Sequence, residues 1–347
     1  MNGYERMKAA LELREPDRVP MMEWAIAGNV MRAMVPGCES EIDFAEAMDL
    51  DGVNMRRWPK PEDADPVTGS FVNEWGVRMQ RTAESYSPVG PPITSEEAFE
   101  RYVPPDPHDE ENFRPLREAV RRFKGKRFIS FHTRAEFMAA SEVRGLSELL
   151  MDFVLNPEFA HKVLTMVNDI SCERVRRGIE LGADGVVIAD DWAYNTGPFM
   201  SPAHFREFVL PYFKKMVQTC KNGGAYAVKH CDGNLWPLLD MVVEAGVDAI
   251  NPIEPAAGME IGEVKKKYGE RVCVMGNIDC GNLLGLGSVD EVVRTVKETI
   301  RKAAPGGGYV LMSSNSIHST VRPENLRAMW ETTRELGRYP LDMAKLR

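Results

Sequence analysis

The sequence predicts an α/β fold, a single-domain (β/α)8 or TIM barrel, and three observations predict it. Eight short apolar runs recur along the chain with a helix-patterned segment after nearly every one, as in a mostly parallel sheet covered on both faces. No Gly-x-Gly-x-x-Gly follows the first run, which disfavours an open dinucleotide-binding sheet. Polar and titratable residues collect where the runs end, the rim at which parallel barrels carry their chemistry.

At 347 residues, 44% of them hydrophobic, the chain buries a large core without disulfides. A formal net charge of -9 and a pI near 5.4 exclude a phosphate-neutralising nucleic-acid binder. Lys265-Lys266-Lys267, the densest basic run, sits in a helical pattern and reads as a solvated face. The six cysteines show no short paired spacing, and most read as small buried hydrophobes. The N-terminus is polar and no apolar run approaches about 18 residues, so a cytoplasmic protein with reduced thiols and no membrane segment is expected.

Taken in order, residues 4–13 have helical spacing and close in a turn at Pro16. Val19-Pro20-Met21-Met22-Glu23-Trp24 reads as the first barrel strand, with Glu23 at its far end. A helix over 41–48 leads to the second strand, 51–55. Residues 58–107, rich in Pro, Gly and acidic residues with short alternating pieces, are expected to form a hairpin-bearing excursion over the barrel mouth. That makes them a lid-like insertion in an otherwise continuous domain, 1–347. From there the alternation is regular. A helix over 113–123 precedes strand 127–132, helices over 146–155 and 157–181 precede strand 185–191, and a helix over 202–220 precedes strand 225–232. A helix over 235–245 leads to strand 248–254, one over 262–268 to strand 272–279, and one over 289–303 to strand 309–315, before a closing helix over 324–336. Gly306-Gly307-Gly308 stands before a strand and reads as a tight turn, not a phosphate cradle.

The densest chemistry is Lys229-His230-Cys231-Asp232-Gly233-Asn234, where a strand gives way to a helix. His230 and Asp232 are two apart and share a strand face, while Cys231 points the other way as long as the strand persists. Imidazole, thiolate and carboxylate are all zinc ligands, and Cys280, two tips further round, offers a third donor, although no compact Cys-x-x-Cys motif marks a metal site. The remaining tips carry Glu23, Asn54, His132, Asp190, Asp191, Asn251, Glu254, Asn277, Asp279, Asn315 and His318. Each has a plainer reading. His132 and Glu136 fit either rim chemistry or hydrogen bonding within a turn. Of Asp190 and Asp191 only one can aim into the mouth, and the other suits backbone donors near Asn195-Thr196-Gly197-Pro198.

The segments 182–192 (GADGVVIADDW), 197–212 (GPFMSPAHFREFVLPY), 230–234 (HCDGN), 251–255 (NPIEP), 276–280 (GNIDC) and 322–325 (RPEN) resemble, in that order, the uroporphyrinogen decarboxylase superfamily. The likeness runs from 18 to 340 and implies a (β/α)8 barrel. True decarboxylases of that superfamily bind porphyrinogen carboxylates with an arginine-rich motif after the first strand; here 21–29 holds no arginine, and the first is Arg32. The resemblance therefore implies the cobalamin-dependent methyltransferase branch, which passes a methyl group between a small substrate and a corrinoid. Its thiol-activating members carry a His-x-Cys pair and a late cysteine as zinc ligands. This chain matches at His230, has Asp232 in place of the cysteine, and has Ser314-Asn315-Ser316 near the late position. That departure implies another methyl donor, such as an aryl methyl ether. On this reading zinc is held by His230 with Asp232 and Cys280 or Glu23, and Asp190, Asp191 and His132 position or protonate the leaving group. The corrinoid arrives on a partner protein, and a homodimer is expected because related barrels form one. The rivals are a metal-free decarboxylase in which Asp190 stabilises a protonated pyrrole-like intermediate, and a non-catalytic binding subunit.

Overall fold

The structure is a computed structural model describing residues 1–57 and 64–347; the first six residues of the expected excursion, 58–63, lie outside the described residues. Among the described residues seven parallel strands form one curled sheet in chain order. They are β1 (Gly52–Met55), β2 (Phe128–Arg134), β3 (Gly185–Ala189), β4 (Tyr226–His230), β5 (Ala249–Asn251), β6 (Cys273–Ile278) and β7 (Tyr309–Ser313). Each pairs with the one before it, and helices such as Pro157–Glu180, Leu210–Asn222 and Val289–Ala303 fill the connections. The last of these starts at a capping box, Ser288 with Glu291, where the sequence changes from turn to amphipathic helix.

The expected first strand is present only as an irregular segment. Residues 19–26 make isolated bridges, Met21 with Leu311 and Ile26 with Ile317. Leu311 N–H donates to the Pro20 carbonyl at 2.9 Å, and on the other side Asp51 N–H donates to Met21 at 2.8 Å, so the segment joins β7 to β1 and closes the cylinder. Pro20 has no N–H to give a regular ladder. The segment is instead pinned by the carboxylate of Asp51, which is 1% exposed. It accepts from Met21 N–H (2.8 Å), twice from Arg18 (2.7 and 3.1 Å) and from Arg6 (2.9 Å).

Alternation along the strands sorts side chains into two cores. Met22, Trp24, Phe128, Val187, Val228, Met275 and Met312 fill the cylinder, while a larger cluster packs the outer sheet face against the helices. Two connections differ from expectation. The helix expected from Leu235 begins only at Leu239 (Leu239–Glu244), because Asn234 Oδ1 accepts Trp236 N–H (3.2 Å) and holds 235–238 in a turn. A helix at Glu136–Arg144 follows β2 directly, where the sequence suggested only a turn residue.

The described part of the excursion forms an antiparallel sheet of Ser70–Val72, Arg78–Arg81 and Tyr86–Gly90. Glu74 fastens it to the helix Pro157–Glu180 through two bonds from Arg174, at 2.9 and 2.8 Å. All six cysteines are free. Among the described residues no helix is long and apolar enough to cross a membrane.

Candidate metal centre

The two-residue period carries β4 past its end so that His230 and Asp232 both face the cylinder axis, and β3 does the same for Asp191. Donor atoms of Asp191, His230 and Asp232 lie within 4.8 Å of one another. His230 is 5% exposed. It stands in register with Asn251, the last residue of β5, whose Oδ1 lies 2.7 Å from Nδ1. The Asn251 amide is oriented by its own donation to the Met275 carbonyl at 3.3 Å. Nδ1 is therefore the protonated nitrogen, and the Nε2 lone pair points to Asp232 Oδ1, 3.5 Å away. Burial pushes the imidazole down to about 4, so it is neutral at pH 7 and competent as a ligand.

The carboxylates are held from behind. Asp191 Oδ1 accepts the Asp232 N–H at 2.9 Å, and Asp232 Oδ2 accepts from Asn315 Nδ2 at 2.5 Å. Asp232 Oδ1 is buried with no hydrogen-bond partner among the described residues. Burial, then the charges of Asp191 and Glu254, push the Asp232 carboxyl well above the usual carboxylate range. A neutral imidazole, two anchored carboxylates and one buried oxygen without a donor fit a divalent cation, which would relieve the crowding of negative charge. One imidazole and carboxylate oxygens suit zinc and its first-row neighbours.

Gly233 keeps this corner tight. Its φ is +89°, and a Cβ there would lie 2.6 Å from the Ala193 carbonyl carbon, where the loop 193–199 crosses. Asp191 and Asp232 of this group line a cavity of about 590 Å³, within the range of small-molecule sites. Glu254, Tyr194 and Phe199 line it as well, and the excursion contributes Pro88 and Pro91.

The other expected site residues are placed elsewhere. Asp190 points outward and accepts the N–H groups of Phe137 (3.1 Å) and Met138 (2.5 Å), the start of the helix Glu136–Arg144, and Trp192 Nε1–H (2.7 Å). Glu23 accepts from Ser313 and from Trp330, between β7 and the last helix. Cys280 sits beside Ser314, whose hydroxyl donates to Sγ at 3.6 Å, and is not a member of the three-residue group. His132 lies inside the cylinder, one ring away from the group. Trp24 separates the two imidazoles, stacked on His230 at 3.8 Å and tilted to His132 at 4.7 Å. The Arg56 guanidinium lies 3.2 Å from His132 Nδ1, and burial followed by that charge holds His132 well below its ordinary value. Cys231 turns away and accepts the Trp192 N–H at 3.2 Å.

Sequence reasoning offered Asp191 as a catalytic group and not as a metal donor, and missed Trp24 and Arg56. The period of two contained the signal for Trp24: if Met22 faces inward, Trp24 does and Glu23 does not.

The fold and the rim define a parallel α/β barrel with a candidate metal centre at the C-terminal ends of its strands. Residues 72–336 match the uroporphyrinogen decarboxylase (URO-D) family, and the chain belongs to it. Relatives include the uroporphyrinogen decarboxylase of Trichodesmium erythraeum, 27% identical over 265 residues (73% of this chain, 72% of that protein). That of Chlorobium phaeobacteroides is 30% identical over 184 residues (52% and 50%). Among solved structures, a methyltransferase from Methanosarcina mazei superposes with a TM-score of 0.75 at 20% identity, covering 96% of this chain and 99% of that one, a likeness of fold.

Proposed function

We propose that this chain is a metal-assisted methyltransferase that moves a methyl group from a small donor, with an aryl methyl ether as the leading class, to a corrinoid presented by a partner protein. The observation that carries the reading is the convergence of Asp191, His230 and Asp232, with Asp232 Oδ1 lacking a donor among the described residues and both carboxylates lining a cavity of about 590 Å³. A divalent cation such as zinc, bound by these three, would polarise the leaving oxygen or sulfur, an effect worth several kcal/mol.

The chain's own residues supply the rest. Asn251 fixes the His230 tautomer; Asn315 and the Asp232 N–H hold the two carboxylates. Phe199 and Tyr194 wall the donor, and Pro88 and Pro91 place the excursion where a lid would exclude water. Asp190 acts on the donor only indirectly, by fixing Trp192 and the helix Glu136–Arg144.

The test is metal analysis of protein purified without chelator, together with a methyl-transfer assay using a reduced corrinoid acceptor and a panel of methyl donors. Stoichiometric zinc in the wild type, lost with turnover in His230→Ala and Asp191→Ala, is expected. Absence of metal with undiminished turnover in both variants would refute it. The relatives' identity favours a second reading, decarboxylation of a porphyrinogen. Consumption of uroporphyrinogen by the full chain would promote it.

A further inference from the structure

The cavity lined by Asp191 and Asp232 has a charge inventory that the metal leaves unbalanced. Four acidic residues line it, Glu142, Asp191, Asp232 and Glu254, and among the described residues no lysine, arginine or histidine lines it. Glu142 is balanced from behind by Arg134 at 2.6 Å. Asp191 and Asp232 belong to the candidate metal centre, and the buried Oδ1 of Asp232 lacks a partner among the described residues. Glu254 is different. Its Oε2 accepts one N–H, from Gly233 at 2.7 Å, and no ion pair reaches it among the described residues. Tyr194 and Phe199, stacked with centroids 5.4 Å apart and planes 19° from parallel, line the same cavity, as do the apolar Met138 and Leu146. A carboxylate without an ion-pair partner among the described residues, sharing a cavity with a pair of stacked aromatic rings, is the chemistry that recognises an organic cation.

We propose that the cavity selects a methyl donor bearing a positive charge, an ammonium group on an apolar, ring-sized body, with Glu254 as its counter-ion. The word donor rests on the methyl-transfer reading; the charge preference is a property of the cavity that binding alone reveals. A carboxylate-bearing ligand of the same shape would meet like charge with no basic side chain among the described lining residues to offset it.

The experiment is calorimetric titration of the full chain, zinc-loaded, with three para-substituted anisoles of similar size: 4-methoxybenzylammonium, 4-methylanisole and 4-methoxybenzoate. The ammonium compound should bind at least about tenfold more tightly than the neutral one, and the benzoate more weakly than both. The preference should narrow as salt is raised, collapse in Glu254→Gln and return in Glu254→Asp. The salt series carries the test if Glu254→Gln does not fold. Equal binding of ammonium and neutral compounds, tighter binding of the benzoate, or no binding of any of the three overturns the proposal. Assaying methyl transfer with the same compounds separates the two readings. A cation preference without turnover removes the methyl-transfer reading alone; turnover without a cation preference removes this one alone.

Discussion

Asp190 and Asp191 are adjacent in sequence, as are Lys229 and His230, yet β3 and β4 send one member of each pair outward and the other inward. On the outer face Asp190 and Lys229 are both answered. Asp190 accepts three N–H groups, and Lys229, 0% exposed, donates to the carbonyls of Asp190 (2.5 Å) and His230 (2.8 Å) with its Nζ 3.5 Å from the Trp192 ring centroid. Glu136 beside them, its two buried carboxyl oxygens without a hydrogen-bond partner among the described residues, is pushed well above the usual carboxylate range by burial and then by the Asp190 charge. On the inner face the same residue types leave an imidazole lone pair and a buried carboxylate oxygen facing each other at 3.5 Å, the oxygen without a hydrogen-bond donor among the described residues. Charge that is saturated by its neighbours stabilises a fold; charge left with spare valence at a rim is available to a ligand.

The largest effects should separate those two faces. Asp190→Ala strands three buried N–H donors and removes a carboxylate charge that the buried Lys229 ammonium attracts, and should cost about 3–5 kcal/mol in urea denaturation followed by circular dichroism. Asp191→Ala should change stability by only about 1 kcal/mol, because it removes one of several crowded negative charges. Its zinc affinity should fall by more than the roughly 10–100-fold seen for residues that only orient ligands. If Asp191→Ala destabilises as much as Asp190→Ala, the inner carboxylate is a structural group and the distinction fails.

The comparison also explains what the sequence could and could not reveal. Strand positions were legible because apolar runs and helical spacing are local, and the period of two already said that 190 and 191 must part. Which of the two faces inward depends on register, Ala189 opposite His230, which is set across the sheet. The helix Glu136–Arg144 escaped notice because seven of its nine residues are buried, two of them glutamates, so no polar stripe marks it. Glu142 is compensated by Arg134, at the end of the preceding strand, a pairing that only the fold creates. The cavity wall is likewise non-local. It depends on the tight antiparallel pair of Ala193–Tyr194 with Gly197–Pro198 crossing over Gly233.

Glu23 tests the outer side of the same contrast at a second place. Burial pushes its carboxyl up to about 7, against the opposing pull of bonds from Ser313 N–H (3.2 Å), Ser313 Oγ–H (2.6 Å) and Trp330 Nε1–H (3.3 Å). A folded-state value above the unfolded one means that the native protein holds the proton more tightly. The stabilisation from Glu23 is thus complete below about pH 4.5 and is lost as pH rises through about 7, a swing of roughly 3 kcal/mol. Glu23→Gln should remove that decline, seen as a smaller loss of urea midpoint between pH 5 and pH 8 than in the wild type. An unaltered pH dependence would mean that Glu23 is already ionised in the native state, in which case the outer wall tolerates bare charge as the inner rim does.

The smallest effect is expected at Cys280, the sulfur donor that the sequence offered to the metal. Its thiol follows β6, accepts a hydrogen bond from Ser314 Oγ at 3.6 Å, and is pushed up to about 11 by burial, so it is not a thiolate at neutral pH. The three inner donors are gathered without it. Cys280→Ser keeps a small polar group in place and should leave zinc content and affinity unchanged, with stability within about 1 kcal/mol of wild type. A tenfold loss of zinc affinity would instead bring sulfur into the coordination shell. The inner rim would then hold a thiolate-bearing centre, and the contrast between saturated and open charge would have to be redrawn around β6.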